Sequence, residues 1–314
     1  MFGSPNELAI ARSVIYASLF DYPLTLEQLH QTLLESDQTI QQILATYTSS
    51  EMLQTMVEYR EGFLFPRGRR ALLSERRLRE ARSCAFLSRH RRLLRLVCAL
   101  PYVRMVALSG SIAHLNLEGD GDLDLFIVTR GRRVWSVTVA VLILAKLMRQ
   151  RRTVCANFVV ADSQLTLEQQ DLFTANQVIH LKPLVGQDVF RELLAANPFV
   201  ARFYPNFQPP AAGLQPLASS LQPPASRSLV RLKSSIEAVF RAPSLLVELA
   251  CRHAYGSYLR GRAGSWRSPE QVRLQADCLK LHTRSHRRSI LERFDCAVRE
   301  AVERAPIIWK TRAR

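Results

Sequence analysis

Residues 107 to 129 read ALSGSIAHLNLEGDGDLDLFIVT, and the last third of that run sets the tightest condition on the fold. DLDLFIVT has the apolar character of a buried strand, yet it carries Asp122 and Asp124 two positions apart. Side chains at i and i+2 of an extended strand share a face, so both carboxylates project together while Leu123 and Leu125 turn to the core. At about 6 to 7 Å separation the two charges repel unless a cation lies between them, and Mg²⁺, a hard ion that prefers carboxylate oxygen, is the expected one. The chain must therefore build a sheet that is core on one face and opens onto a polar site on the other.

Gly110 and Ser111 stand just upstream, where the apolar strand YVRMVALSG ends and a short helical turn, SIAHLNLEG, begins. Unpaired backbone N–H groups and the dipole at a helix start favour a phosphate. The two features together would put the phosphate tail of a nucleotide beside a metal held by Asp122 and Asp124. Asp120 is a weaker candidate that reads first as a solvated loop residue. His114 is placed to touch phosphate or base, or is simply a polar position on the turn.

The flanking pattern is α/β. A helix is expected over 134 to 149, a third strand in TVCANFVVA, and helix from 165 to 207, ending in NPFVARFYPNF. Residues 208 to 228, QPPAAGLQPLASSLQPPASRS, have the composition of a linker, and 229 to 314 return to amphipathic helix. Ahead of this unit, residues 1 to 66 read as three helices, the third in DQTIQQILA, followed by a hairpin over MLQTMVEYREGFLFPRG turning at Arg60, Glu61 and Gly62. That is the order of a winged helix. Residues 67 to 100 form a long Arg-rich helix with leucines at helical spacing, read as a solvated basic face over an apolar stripe or as an electrostatic guide for a polyanion. The predicted organisation is thus α+β: winged helix (1 to 66), basic connecting helix (67 to 100), central α/β domain with a small mixed sheet (101 to 207), linker (208 to 228) and helical C-terminal region (229 to 314).

Gly-Ser, about ten residues, then Asp-hydrophobic-Asp-hydrophobic between strands resembles the signature of the polymerase-beta-like nucleotidyltransferase superfamily. With FDYPLTLEQL, CANFVVADSQLTL, LKPLVG and NPFVARFYPNF, the chain is similar over residues 6 to 207 to bacterial nucleotidyltransferase-domain proteins that carry an N-terminal winged helix. The resemblance implies that Gly110 and Ser111 contact a nucleoside triphosphate and that Asp122 and Asp124 hold Mg²⁺, as many as two ions. It also implies a third carboxylate on a neighbouring strand, where this chain has Asn157. An amide cannot act as a base, and Asp162 lies on the opposite parity and would need a bulge to reach the site.

Composition narrows the partners. Lys and Arg number 43 against 27 acids, a formal charge of +16 that suits a nucleotide or nucleic acid. The third helix of the winged helix nevertheless carries Asp37, Gln38, Gln41 and Gln42 and no cation, so docking to another protein or within this one is preferred there over DNA contact. The 6 cysteines form no CxxC pair, which argues against a structural zinc site or disulfide framework, and Cys155 reads as core. His282 and His286 have helical i,i+4 spacing that could ligate a metal but no acidic or Cys partner nearby in sequence, so they read first as a basic solvated helix face, and Trp135, Trp266 and Trp309 show no base-stacking spacing. No signal core opens the chain, and the apolar run 134 to 145 is too short for a bilayer, so a cytoplasmic protein with no membrane partner is expected. Two functions follow as expectations. The first is Mg²⁺-dependent transfer of a nucleoside monophosphate from an NTP to a hydroxyl of a small molecule, RNA or protein. The second is an inactive, nucleotide-sensing regulator that binds DNA or protein through the winged helix.

Overall fold

The computed structural model describes residues 3–119, 121–209 and 243–312. The N-terminal part comprises α1 (Pro5–Ser18), β1 (Leu24–Thr25), α2 (Leu26–Gln31), α3 (Ile40–Ser49), α4 (Glu51–Met56), β2 (Val57–Arg60) and β3 (Phe63–Pro66). Thr25 and Thr39 start α2 and α3 through capping boxes closed by Gln28 and Gln42. The hairpin turns on Glu61 and Gly62, both at positive φ (52° and 81°), the backbone that matches the twist of a two-residue connection. β1 adds to β3, giving the order β1-β3-β2. The stretch MLQTM, expected to be extended, forms α4, because Ser50 caps it by accepting from the Leu53 N–H.

α5 (Ala71–Ala99) leads into a six-stranded sheet of order β7-β4-β5-β6-β9-β8. Its strands are β4 (Val103–Leu108), β5 (Leu123–Thr129), β6 (Val154–Ala161), β7 (Lys182–Val185), β8 (Val272–Leu274) and β9 (Cys278–Leu281). Only β5 and β6 pair in parallel, joined by α7 (Val134–Leu147), so the sheet is mixed. α6 (Gly110–Ala113), α8 (Leu172–Ile179), α9 (Gln187–Ala195), α10 (Phe199–Phe203), α11 (Pro243–Gly261) and α12 (Arg287–Arg312) complete the described chain. Residues 165 to 207, expected as helix throughout, also contain β7. Pro183 is tolerated there because β7 is an edge strand. The C-terminal region is helical in α11 and α12, as expected, and in addition supplies the β8–β9 hairpin, whose β9 pairs with β6 from beyond the segment read as a linker. Most of that segment, like Asp120, lies outside the described residues.

The sheet separates two cores. Val106, Leu108, Leu123, Leu125, Ile127, Val159 and Ala161 face α5 and α7. Met105, Ala107, Phe126, Val128 and Val160 face α9. A third core joins the N-terminal part to the rest, with Tyr16 and Leu34 packed among Val178 of α8, Phe199 and Tyr204 around α10, and Ile290 and Phe294 of α12. Among the described residues no helix is long and apolar enough to cross a membrane.

Candidate functional site

β5 has the parity expected of it. Leu123 and Leu125 are buried on the α7 side, which leaves Asp124 on the opposite, open face. Asp122 immediately precedes the strand and is exposed rather than extended within it. Burial and the charge of Asp122 raise the Asp124 carboxyl to a pKa of about 6. Such mutual repulsion is what a divalent cation would relieve, so Asp122 and Asp124 fit an Mg²⁺ ion by their chemistry.

Gly110 begins α6 against this pair. Its φ is +64°, and a Cβ built on it would lie 2.5 Å from Asp124 Oδ2. The preceding Ser109 N–H donates to the Asp124 carbonyl at 2.9 Å, which locks the turn to the strand. α6 is a single turn, too short for a useful macrodipole. What it offers an anion is the pair of N–H groups of Gly110 and Ser111, which find no protein acceptor among the described residues.

Asn157 reaches the site because β6 bulges. Asp124 pairs with Cys155 and Phe126 with Phe158, so two steps on β5 face three on β6. Ala156 and Val159 both stay in the α7-side core, and the two residues between them, Asn157 and Phe158, therefore both turn away from it. Asn157 Nδ2 donates to Asp124 Oδ1 at 2.5 Å. The amide thus holds a carboxylate in place. Asp162, the other acidic residue of this strand region, is committed elsewhere: it accepts from the Gly131 N–H and pairs with Arg104 at 3.3 Å. Cys155 is half-buried, not core, and its thiol is pushed up to about 12 by burial and then by Asp122 and Asp124.

Gly110, Ser111, Asp122, Asp124 and Asn157 open into one cavity of about 860 Å³. Its walls come from four distant segments: α1 and the turn after it with Tyr16 and Phe20, the end of α6 with His114, α8 and its C-cap with Asn176 and His180, and the loop after β9 with His282 and His286. His282 and His286 do not share a helix, as their spacing suggested; β9 ends at Leu281 and α12 begins at Arg287, so both lie on a loop. The His114 and His180 rings lie 4.0 Å apart, and His114 meets Tyr22 edge-on at 5.7 Å. Desolvation, then the positive charges of Lys182 and Arg76, lower His114 to about 4; burial, then His114 and Lys182, lower His180, and burial and Lys280 lower His282 to about 4. These imidazoles are neutral at neutral pH. Lys182, opposite Leu108 on β7, is itself depressed by burial and has no carboxylate partner among the described residues. Among the described residues no three His, Cys, Asp or Glu side chains converge; the cluster is two carboxylates and an amide.

α5 fastens the loop that carries the site. Arg79 pairs with Glu118 at 3.1 Å and approaches Asn116, while Arg82 donates to the Leu117 and Glu118 carbonyls. Arg76 donates to the Pro23 carbonyl and stacks over Tyr22 at 4.2 Å. Arg76 and Arg79 are buried, so the basic face of this helix is solvated only in part, through Arg77, Arg82, Arg89, Arg91 and Arg92. His180, Lys182 and Tyr16 carried no local signal in the sequence; each joins the site only through tertiary packing. No family model, curated protein or solved structure matches the chain.

Proposed function

We propose that the protein is an Mg²⁺-dependent nucleotidyltransferase, moving a nucleoside monophosphate from an NTP to an acceptor hydroxyl. The observation that carries this reading is the junction of Gly110 with Asp124, where two free backbone donors and the Asp122 and Asp124 carboxylates line one open cavity. Bound at Asp122 and Asp124, Mg²⁺ would neutralise the triphosphate and the departing pyrophosphate. The Gly110 and Ser111 N–H groups and the Ser111 hydroxyl would orient the β and γ phosphates. The acceptor oxygen attacks the α phosphorus, the bond to the bridging oxygen breaks, and the hydroxyl proton passes to water or to a neutral imidazole of the wall. Asn157 serves as a positioning residue through Asp124, the role its hydrogen bond supports.

The order of helices and hairpin in residues 5–66 supports the winged-helix reading of the N-terminal part. α3, the helix that would enter DNA, carries no Lys or Arg, which favours docking over DNA contact.

The test is isothermal titration of each NTP with and without Mg²⁺, followed by transfer assays with labelled nucleotide. Binding should need Mg²⁺, and Asp122→Asn with Asp124→Asn should abolish it without loss of fold. Transfer that survives the double substitution would refute the site. Because Asn157 replaces the expected third carboxylate, a second reading is kept: a nucleotide-sensing regulator. Mg²⁺-dependent binding with no transfer to any small molecule, RNA or protein would favour it.

A further inference from the structure

Three stretches of the sequence, 81 to 117, 125 to 161 and 249 to 269, contain no Asp or Glu. The fold gathers cations from all three beside the site. The turn between α7 and β6 carries Arg149, Arg151 and Arg152, and its Thr153 carbonyl accepts at 2.7 Å from the N–H of Leu123, the residue between the two carboxylates. Gln150 Oε1 of the same turn lies 2.9 Å from Nδ1 of His90 on α5, the neighbour of Arg89, Arg91 and Arg92. These six arginines are exposed, and none pairs with a carboxylate among the described residues. Two rings stand near the turn as well. Tyr255 and Tyr258 of α11 are stacked, 15° between planes and 6.0 Å between centroids; Tyr258 is 55% exposed, with the Arg262 guanidinium 5.7 Å over it. Arg151 acts on both groups. Burial raises the Tyr255 hydroxyl and Arg151 lowers it, while burial, Asp122 and Asp124 raise the Cys155 thiol and Arg151 lowers that too.

We infer that this surface holds a single-stranded polynucleotide whose terminal hydroxyl is the acceptor oxygen at Asp122 and Asp124. Backbone phosphates match unpaired guanidinium groups, and an exposed ring flanked by arginine matches the face of a base; the two together are how proteins track a single strand. The hydrogen bond from Leu123 to Thr153 makes the basic surface continuous with the site, so a strand lying on it has an end at the carboxylates. Leu96 and Leu147, exposed on the same two helices, make an anionic lipid surface the rival occupant, which would answer the charge but not the stacked tyrosines. The acceptor role rests on the transferase reading above and adds to it the class of molecule that is modified.

The experiment follows the anisotropy of a labelled single strand of about 20 nucleotides, as RNA and as DNA of one sequence, with the full chain in rising KCl. Mg-NTP affinity is measured alongside. Either strand should bind, with a log–log salt slope of about −3, the counterions of about four phosphates. Arg89→Ser with Arg92→Ser, on α5 and away from the carboxylates, should weaken the strand about tenfold, flatten the slope by about 1, and leave Mg-NTP binding unchanged. Arg149→Gly should weaken it as well without lowering Tm, because the backbone there is left-handed (φ 58°) and suits glycine. Tyr258→Ala should weaken the strand about fivefold or more with the slope unmoved, the mark of stacking. No binding at low salt, or binding that none of these substitutions moves, overturns the surface; so does binding to phosphatidylserine vesicles without binding to either strand. A wild type that binds strand and Mg-NTP yet labels the strand from α-labelled NTP no faster than a free nucleoside overturns the acceptor role. If the strand binds as described and no NTP does, the transferase reading falls and the polynucleotide surface stands.

Discussion

Gly110 is fixed by two independent demands. Its backbone is left-handed, and the space where a Cβ would stand is taken by the Asp124 carboxylate. An alanine there costs about 1–2 kcal/mol for the backbone alone and must displace Asp124 as well. Gly110→Ala should therefore lower Tm by a few degrees while removing Mg²⁺-dependent nucleotide binding altogether; a variant with lowered Tm and intact binding would show that Asp124 is not a ligand. This part of the site was legible in the sequence because strand parity and a glycine-led turn act over a few residues. Asn157 was legible as the residue at that place but not in its contact, since the bulge at 157 and 158 follows from pairing with β5. The spacing of His282 and His286 misled, because i,i+4 implies a shared face only if a helix spans both positions.

Among the elements, α7 shows how a helix can be capped from elsewhere. Arg133, at its N-cap, makes no side-chain cap. Instead the buried Glu248 of α11 accepts from the Trp135 and Ser136 N–H groups, at 2.9 and 2.8 Å, and from the Ser136 hydroxyl. A carboxylate at a helix N-terminus satisfies bare donors and complements the dipole. Glu248→Ala leaves two backbone donors unanswered, the Ser136 hydroxyl keeping the Arg133 carbonyl, and should cost about 2–3 kcal/mol in urea unfolding. Glu248→Gln, which retains an acceptor oxygen, should cost less. Equal stability in the alanine variant would mean that α11 holds α7 by apolar packing alone. α7 and α5 were readable from their own periodicity. β7 and the β8–β9 hairpin were not, because a strand of three or four residues becomes one only when a neighbour offers an edge.

At the scale of the whole molecule, the buried imidazoles set the response to acid. His114 and His282 have folded pKa values near 4 against 6.5 unfolded, and His180 is lowered too. Between those values the unfolded chain binds protons that the native protein refuses, so stability is complete above about pH 6.5 and falls as pH drops toward 4, by up to about 1.4 kcal/mol per pH unit for each imidazole. Asp124 opposes this. Its raised pKa makes the native state hold a proton that the unfolded state releases, so its contribution falls as pH rises from about 4 to 6. The histidines outnumber it, and unfolding free energies at pH 7, 5.5 and 4.5 should decline steadily. His114→Gln with His282→Gln should flatten the decline, and an unchanged slope would place the acid sensitivity elsewhere.

The late arrival of β8 and β9 has a consequence for synthesis. Until residue 281 has emerged from the ribosome, the Phe158, Val159 and Val160 backbone of β6 has no partner on its outer side, and the nascent sheet presents an apolar edge. A chain that stalls before that point is a template for pairing with its neighbours, so holdase chaperones should engage polysomes bearing this nascent chain, and release should coincide with the hairpin closing over the edge.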